Sequence, residues 1–392
     1  MINIFLRNLF SPPDLKKIDF LFFGPFIFLC VFGLVAVASA SIQFSVSLTG
    51  DPLNLFTKQF FHLLAGLLFF SALSSIPLSF WERFDRLLLG FGLFLLILVF
   101  IPKIGLEVNG AHRWVRFGSV GFQPSEIMKF ITIIYIAAYS VRRLKALQSH
   151  WFAFFKPAFL VILVVSLILL QPDLGTSAVI FATVLGMLFV AGVQLKQFIL
   201  VISLSFLGIL SLIYFVPWRW ERIISFMDPW TNQYESGYQL TLSLMAIGRG
   251  DWFGVGLGKG LMKLGYLPDA HTDFIFAVII EEMGLITAII IVATLFFLCF
   301  RCFLIGKKAL NRGQHFGFFL SYGVAILIGL HTLINVGVAT GLLPTKGLTL
   351  PFISYGGTNL LVMCALSALV LRVDYETKSS IPSINIHRRV SF

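Results

Sequence analysis

The sequence predicts an all-α, polytopic membrane protein with about ten transmembrane helices and a large extracytoplasmic loop between the seventh and eighth. Composition is the first reason. Hydrophobic residues make up 58% of the 392 and charged residues only 12%, a balance that excludes a soluble globule. Length is the second, because a hydrocarbon core of roughly 30 Å takes about 20 apolar residues per helix and runs of that size recur along the chain. The third is periodicity: stretches such as 87–101 are apolar on every side, whereas the strands of a membrane barrel would alternate.

Taken in order, apolar runs bounded by charged or turn residues place spans at 20–42, 59–80, 86–102, 126–141, 152–170, 175–193, 197–217, 273–300, 315–340 and 351–371. The first follows Lys16, Lys17 and Asp19 without a small-residue cleavage site, so it reads as a retained helix. Ten is even, and both termini therefore share a side. With the termini inside, the inner segments carry 18 of the 29 Lys and Arg residues but only 6 of the 18 acids, which satisfies the positive-inside rule. The formal charge of +11 is thus a topology signal, and no nucleic-acid partner is implied. The chain divides into a cytoplasmic segment 1–19, a membrane domain 20–372 holding the outer loop 218–272, and a mobile cytoplasmic tail 373–392. Cys30, Cys299, Cys302 and Cys364 all lie in or beside apolar runs and suggest neither disulfides nor zinc.

Orientation has no use for outer cations, yet Arg113, Arg116, Arg249, Lys259, Lys263 and Lys346 sit outside among acids, glycines and aromatics. The outer face reads as the working face. The 55-residue loop 218–272 is too long for a hairpin connection and too apolar for a linker, so it folds back over the bundle.

Before the fourth span, Asn109-Gly-Ala-His-Arg-Trp114 and Arg116 bring guanidinium groups beside Trp114 and glycine. Arg113 and Arg116 can grip phosphate oxygens or serve, with Trp114, as interfacial anchors. In Gln123-Pro-Ser-Glu126, proline breaks the chain before the helix, Ser125 can cap it, and Glu126 favours its positive end. Lys129, three residues on, can pair with Glu126. Asp173 in Gln171-Pro-Asp-Leu-Gly175 caps the sixth span, and Pro172 ends the fifth.

Leu267-Pro-Asp-Ala-His-Thr-Asp-Phe274 closes the large loop and gathers Asp269, His271 and Asp273, the last where water meets lipid. An acid there serves equally as a helix-start residue. Further down the span, the adjacent carboxyls of Glu281 and Glu282 predict that at least one faces the bundle interior or a wet cavity, with Arg or Lys as partner. Between the last two spans, residues 341–357 interrupt helix around Lys346 and Ser354, and irregular backbone at membrane depth is tolerated only against protein or a cavity. Gly356 and Gly357 can admit a ligand or a neighbouring helix. On spans eight and nine, Ile289-Ile-Ile291, Leu295-Phe-Phe297 and the stripe Ser321, Ala325, Gly329 fit lipid contact and internal packing, or a partner groove.

Together these motifs resemble the SEDS family (shape, elongation, division and sporulation) of bacterial peptidoglycan glycosyltransferases, over nearly the whole chain. The marks are Asn109-Gly-Ala-His-Arg-Trp114, Gln123-Pro-Ser-Glu126, Gln171-Pro-Asp-Leu-Gly175, Ser236-Gly-Tyr-Gln239, Gly254-Val-Gly-Leu-Gly258, His271-Thr-Asp-Phe274 and Ser354-Tyr-Gly-Gly357. Pro344-Thr-Lys-Gly-Leu-Thr-Leu350, Met227-Asp-Pro-Trp230 and Ile101-Pro102 are similar to the family's division members more than to its elongation members. Thr358-Asn359, where the family usually has two serines, and Arg249-Gly-Asp251 depart from the pattern.

The resemblance implies polymerisation of lipid II, a disaccharide-pentapeptide on undecaprenyl pyrophosphate, at the outer face of the bacterial cytoplasmic (inner) membrane during septal wall synthesis. It gives Asp273 the role of catalytic base and makes Arg113, Arg116, Glu126, Lys129, Asp173, His271, Lys346 and Ser354 the candidates for engaging pyrophosphate and sugar. A helix start lowers a carboxylate's pKa, so Asp273 would need correction by a neighbouring acid or by a divalent cation, magnesium or manganese. No tightly bound cofactor is expected. The implied partners are a single-span class B penicillin-binding transpeptidase, other membrane proteins of the division machinery, and membrane lipids. A lipid II flippase and an elongation-type polymerase are the alternatives; the gathering of reactive loops on one face favours an enzyme over a flippase.

Overall fold

The computed structural model describes residues 18–108, 111–118, 120–215 and 217–379. The expectations for residues 1–17 and 380–392, and for Asn109 and Gly110 of the arginine motif, lie outside that set. A helix occupies each predicted apolar run: α1 (Phe20–Ala40), α3 (Asn54–Ser74), α4 (Leu78–Leu98), α5 (Pro124–Ser149), α6 (Trp151–Leu169), α7 (Leu174–Val190), α8 (Leu195–Tyr214), α11 (Ile275–Asn311), α12 (His315–Ala339) and α13 (Gly357–Ser379). Shorter helices α2 (Ile42–Thr49), α9 (Pro217–Met227) and α10 (Tyr238–Gly250) fill connections. Among the described residues, α1, α3, α6, α11, α12 and α13 are long and apolar enough to cross a membrane. The protein is a helical, polytopic membrane protein.

Several boundaries differ from the sequence reading, among them four with a bearing on the charged residues and prolines of the chain. α3 and α4 begin well before 59 and 86, because Pro77 (φ −66°, ψ 148°) sets the turn between them and Glu82, Arg83, Asp85 and Arg86 ride on the first turns of α4. Asp85 is tolerated there because it is buried against Arg142 at 2.7 Å. Pro124 does not break the chain before α5 but is its first helical residue, where its missing N–H costs nothing; Gln123, not Ser125, is the cap. The tail expected after Arg372 continues as helix to Ser379, with Arg372–Glu376 and Lys378–Asp374 pairs at i, i+4 spacing.

The all-α prediction also missed a three-stranded antiparallel sheet, β1 (Gly105–Val108), β2 (Ala111–Phe117) and β3 (Val120–Phe122), which presents Arg113 to the bundle. Its register sets Leu106 opposite Trp114 and Val115 opposite Phe122. The buried Val115 packs on Leu95, Leu98 and Val99 of the neighbouring α4 end.

The core runs through α5, α12 and α13, where Met128 to Ser140 is continuously buried. On the small-residue stripe of α12, Ser321 and Ala325 face inward, so that stripe is internal packing; Ile291 and Leu295 of α11 are also core, while Ile289, Ile290, Phe296 and Phe297 are exposed. All four cysteines are buried and free.

α11 is not continuous. At Gly284 the backbone leaves helical geometry (φ 84°, ψ 169°), and residues 250–263 enter the gap. The N–H groups of Val255 and Gly256 donate to the carbonyls of Glu281 and Glu282 at 2.9 Å, and Leu285 N–H donates to the Asp251 carbonyl at 2.9 Å. The two carboxylates expected to need partners both have them. Glu282 meets Lys263 at 2.6 Å and accepts from Ser39 at 2.5 Å, while Glu281 accepts from the N–H groups of Leu261 and Met262 at 2.8 and 3.2 Å and lies 3.6 Å from Arg249. Lys263→Met leaves Glu282 as a buried charge without its cation, at a cost of about 3–5 kcal/mol. Thermal unfolding in detergent is expected to fall markedly for Lys263→Met and to recover in the double variant Lys263→Met/Glu282→Gln.

Candidate active site

Two cavities of about 370 and about 410 Å³ share a wall built by Arg113, Asp173, Asp273 and Gly347. The first is completed by Gln239, Asp269 and Lys346, the second by His62, Trp114, Glu126 and Tyr355. Asp273 stands where they meet.

Its position follows from a tight turn. Asp269 adopts a left-handed conformation (φ 53°), and its carbonyl accepts from the N–H groups of Thr272 and Phe274 at 3.1 and 3.2 Å. The turn ends before α11, whose cap is Phe274, so Asp273 precedes the membrane helix instead of opening it at 273. Burial pushes its carboxyl up to about 7, Asp269 and Asp173 push the same way, and Arg113 opposes them. Burial likewise raises Asp269. The expected lowering at a helix start is therefore overturned: desolvation and two neighbouring acids win.

The other predicted residues separate into groups. Arg113, Asp173 and Lys346 share walls with Asp273. Arg113 is partly engaged already, donating to the Gln171 carbonyl at 3.0 Å and to that of Pro172. Asp173 caps α7 as predicted, accepting from Thr176 N–H at 3.0 Å and from Gln123 at 3.1 Å. Glu126 lines the second cavity and pairs with the fully buried Lys129 at 2.7 Å; Lys129 also donates to His331 at 3.1 Å. Arg116 points elsewhere, since side chains three apart on a strand face opposite sides, and it is exposed with its Nε donating to Gly118 at 3.0 Å.

His271 and Ser354 line neither cavity. The His271 ring lies against Phe44 and Tyr355, with centroids 4.6 and 5.7 Å away, and burial lowers its pKa to about 4, leaving it neutral. Ser354 donates to the Thr272 carbonyl at 2.7 Å and accepts from Leu350 N–H at 2.8 Å, strapping residues 350–354 to the segment before Asp273. Among the described residues no group of three or more His, Cys, Asp or Glu could hold a metal ion, and Asp269 and Asp273 share their cavity with Arg113 and Lys346.

Residues 20–379 match the FtsW/RodA/SpoVE family of cell cycle proteins. The chain belongs to this family. A probable peptidoglycan glycosyltransferase FtsW of Saccharophagus degradans is 43% identical over 376 residues, spanning 96% of this chain and 97% of that one. A protein of the same name from Coxiella burnetii is 44% identical, spanning 90% and 94%. A solved chain from a peptidoglycan synthase complex, described as coordinating polymerization and crosslinking, superposes with TM-score 0.76 at 27% identity over 93% of this chain and 99% of its own. The rod shape determining protein RodA of Thermus thermophilus superposes with TM-score 0.66 at 27% identity, over 91% and 96%.

The departures from the SEDS pattern serve as local ties: Thr358 accepts from Gln123 N–H at 3.2 Å, and Asn359 donates to Thr349. Sequence reasoning missed His62 and Asn335, although a polar side chain inside an apolar span is itself a signal. It also left Gln239 as a mere motif residue.

The raised carboxyl of Asp273 has a stability consequence of definite sign. Its usual value is 3.8 and its folded value about 7, so its contribution to stability is present below about pH 4 and lost as pH rises through 7. Asp273→Asn is expected to melt above the wild type near pH 8, with the gap closing toward about pH 4. Melting curves across that range check it; a gap independent of pH would contradict the assignment.

Proposed function

We propose that this chain is a division-type peptidoglycan glycosyltransferase that polymerises lipid II at the outer face of the cytoplasmic membrane. The observation that carries the reading is the placement of Asp273, a carboxylate poised near neutrality on the shared wall of two cavities. A base is most effective when its pKa lies near the working pH. The 4-hydroxyl of the acceptor sugar attacks the anomeric carbon of the donor strand while its proton passes to Asp273. The bond from that carbon to undecaprenyl pyrophosphate breaks, and the electron pair leaves with the pyrophosphate. Arg113 and Lys346, on the same walls, offset the charge that develops there.

In this proposal Asp173 and Glu126 shape the cavities and Lys129 holds Glu126, while His271 and Ser354 act through the backbone; Arg116 serves as a surface anchor. No tightly bound cofactor takes part. The ten long helices span the membrane with both termini cytoplasmic, residues 218–272 lie outside, and the protein works at the division septum. The proposed domain limits are 1–19, 20–372 and 373–392, although the last helix continues to Ser379 and its added turn is tied to the bundle, Glu376 accepting from Leu78 N–H and Thr377 donating to Gln314. A single-span class B penicillin-binding transpeptidase is the proposed partner, supported by the relative solved within a synthase complex.

The deciding measurement is lipid II polymerisation by the purified chain, alone and with its co-purified partner. Asp273→Ala and Asp273→Asn are expected to lose about 10²–10⁴-fold in rate while inserting normally. A wild-type rate from well-expressed Asp273→Ala overturns the base assignment. Topology is tested separately, because cysteine labelling should find Leu144 and Ala309 inside and Glu235 outside. An inside signal at Glu235 would remove the site from the face where the substrate sugars lie.

A further inference from the structure

Asn335 lies in the last part of α12, inside the bundle and 1% exposed. Its amide nitrogen donates to two backbone carbonyls from distant parts of the chain, that of Asp273 at 2.9 Å and that of Leu348 at 2.6 Å. The acceptors fix which way the amide faces, since a flipped side chain would set its own oxygen against both carbonyls. Its Oδ1 is buried and has no hydrogen-bond partner among the described residues. A buried acceptor left unsatisfied costs free energy, so the side chain is held there by the two bonds its nitrogen makes.

One turn earlier on the same helix, His331 is turned to the same loop: its Nδ1 donates to the Thr349 carbonyl at 3.3 Å, while its Nε2 accepts from Lys129. α12 thus holds consecutive carbonyls of the loop that carries Lys346 and Gly347, and from the same face it holds the backbone of Asp273. The gap between loop and carboxylate is narrow. A Cβ on Gly347 would sit 2.8 Å from Asp273 Oδ2, closer than a methyl group can approach without movement. Asp273, Asp269, Asp173, Arg113 and Lys346 all face this gap, so a small change in its width alters both the reach of the carboxylate and its electrostatic surroundings.

We infer that Asn335 is a positioning residue for the glycosyl transfer, a two-pronged spacer that fixes the distance between Asp273 and the Lys346–Gly347 loop. The inference rests on the reading of Asp273 as the base. It assigns Asn335 no contact with substrate. Displacement of a reacting group by about 1 Å can cost on the order of 10²-fold in rate. Removing both donors at nearly constant volume should therefore lower turnover far more than it weakens substrate capture.

The test uses the full-length chain in proteoliposomes with lipid II as the probe, in whichever preparation polymerises it, alone or co-purified with its partner. Asn335→Leu, Asn335→Ser and Asp273→Ala are compared with wild type for kcat, KM, pH profile and melting. Asn335→Leu is expected to lose about 10²-fold in kcat with KM within about threefold. Its acid limb should move to lower pH, because a loosened gap admits water to Asp273. Asn335→Ser keeps one donor and is expected to recover part of the rate. A wild-type kcat and unshifted acid limb in Asn335→Leu overturn the inference while leaving the base intact, provided Asp273→Ala is dead. Loss of kcat in step with melting temperature, at an unchanged acid limb, also overturns it, since that is the signature of a merely structural residue. Full activity in Asp273→Ala removes the reading on which the inference stands, whatever Asn335→Leu does.

Discussion

Two carboxylates inside an apolar helix impose the constraint from which the site follows. Glu281 and Glu282 cannot remain buried without donors, and the helix that carries them has none to give. Residues 250–263 supply the donors by entering the break at Gly284, where their backbone N–H groups and Lys263 meet both acids. That insertion is possible because Gly284 leaves helical geometry and frees carbonyls for Val255 and Gly256. Once 250–263 is pinned, little chain remains before α11, and the turn at Asp269 must fall under the loop bearing Lys346. The long connection is therefore organised from its membrane end outward.

The same segment produces acids of opposite character. Glu282 has its own lysine and a serine hydroxyl, whereas Asp273 faces two further acids and shares its cavity with Lys346 and with an arginine already engaged elsewhere. Environment rather than residue type sets these roles. A carboxylate with a dedicated cation is a fastener; one raised toward neutrality by burial and like charge can take a proton and give it back. The fold separates the two environments by about two turns of chain, a paired carboxylate on one side and the enclosed, raised carboxyl of Asp273 on the other.

Much of this was legible in the sequence. Hydropathy located every long helix, Asp273 announced itself as an acid where lipid begins, and Glu281 and Glu282 as acids inside the apolar span. What escaped had identifiable physical causes. Residues 105–122 are too short and too polar for a span and carry weak alternation, so their strand pairing was not seen, and with it went the reason that Arg113 and Arg116 face apart. The pKa of Asp273 depends on enclosure by residues 173, 269 and 347, which are far apart in sequence, so helix position alone gave the wrong sign. Asn335 was passed over because it is a single polar residue in a run that hydropathy had already explained.

A common thread joins polar side chains around the two cavities, among them Arg113 and Ser354, which the sequence nominated as ligand binders. Arg113 donates to the carbonyls of Gln171 and Pro172, Ser354 to that of Thr272, Gln59 to that of Ser354, and His331 and Asn335 to those of Thr349, Leu348 and Asp273. Irregular backbone inside a membrane protein has no water to satisfy it, so side chains must. The breaks at 171–173 and 344–356 line the two cavities, and the polar groups clustered around them first serve those breaks. Polar density in such a motif therefore marks the place of a site more reliably than it marks the atoms that touch the ligand. A loss of activity on substitution there carries two meanings, a lost contact or a slackened backbone. They part in the kinetics: a lost ground-state contact raises KM, whereas a slackened backbone lowers kcat and alters how the buried acid titrates.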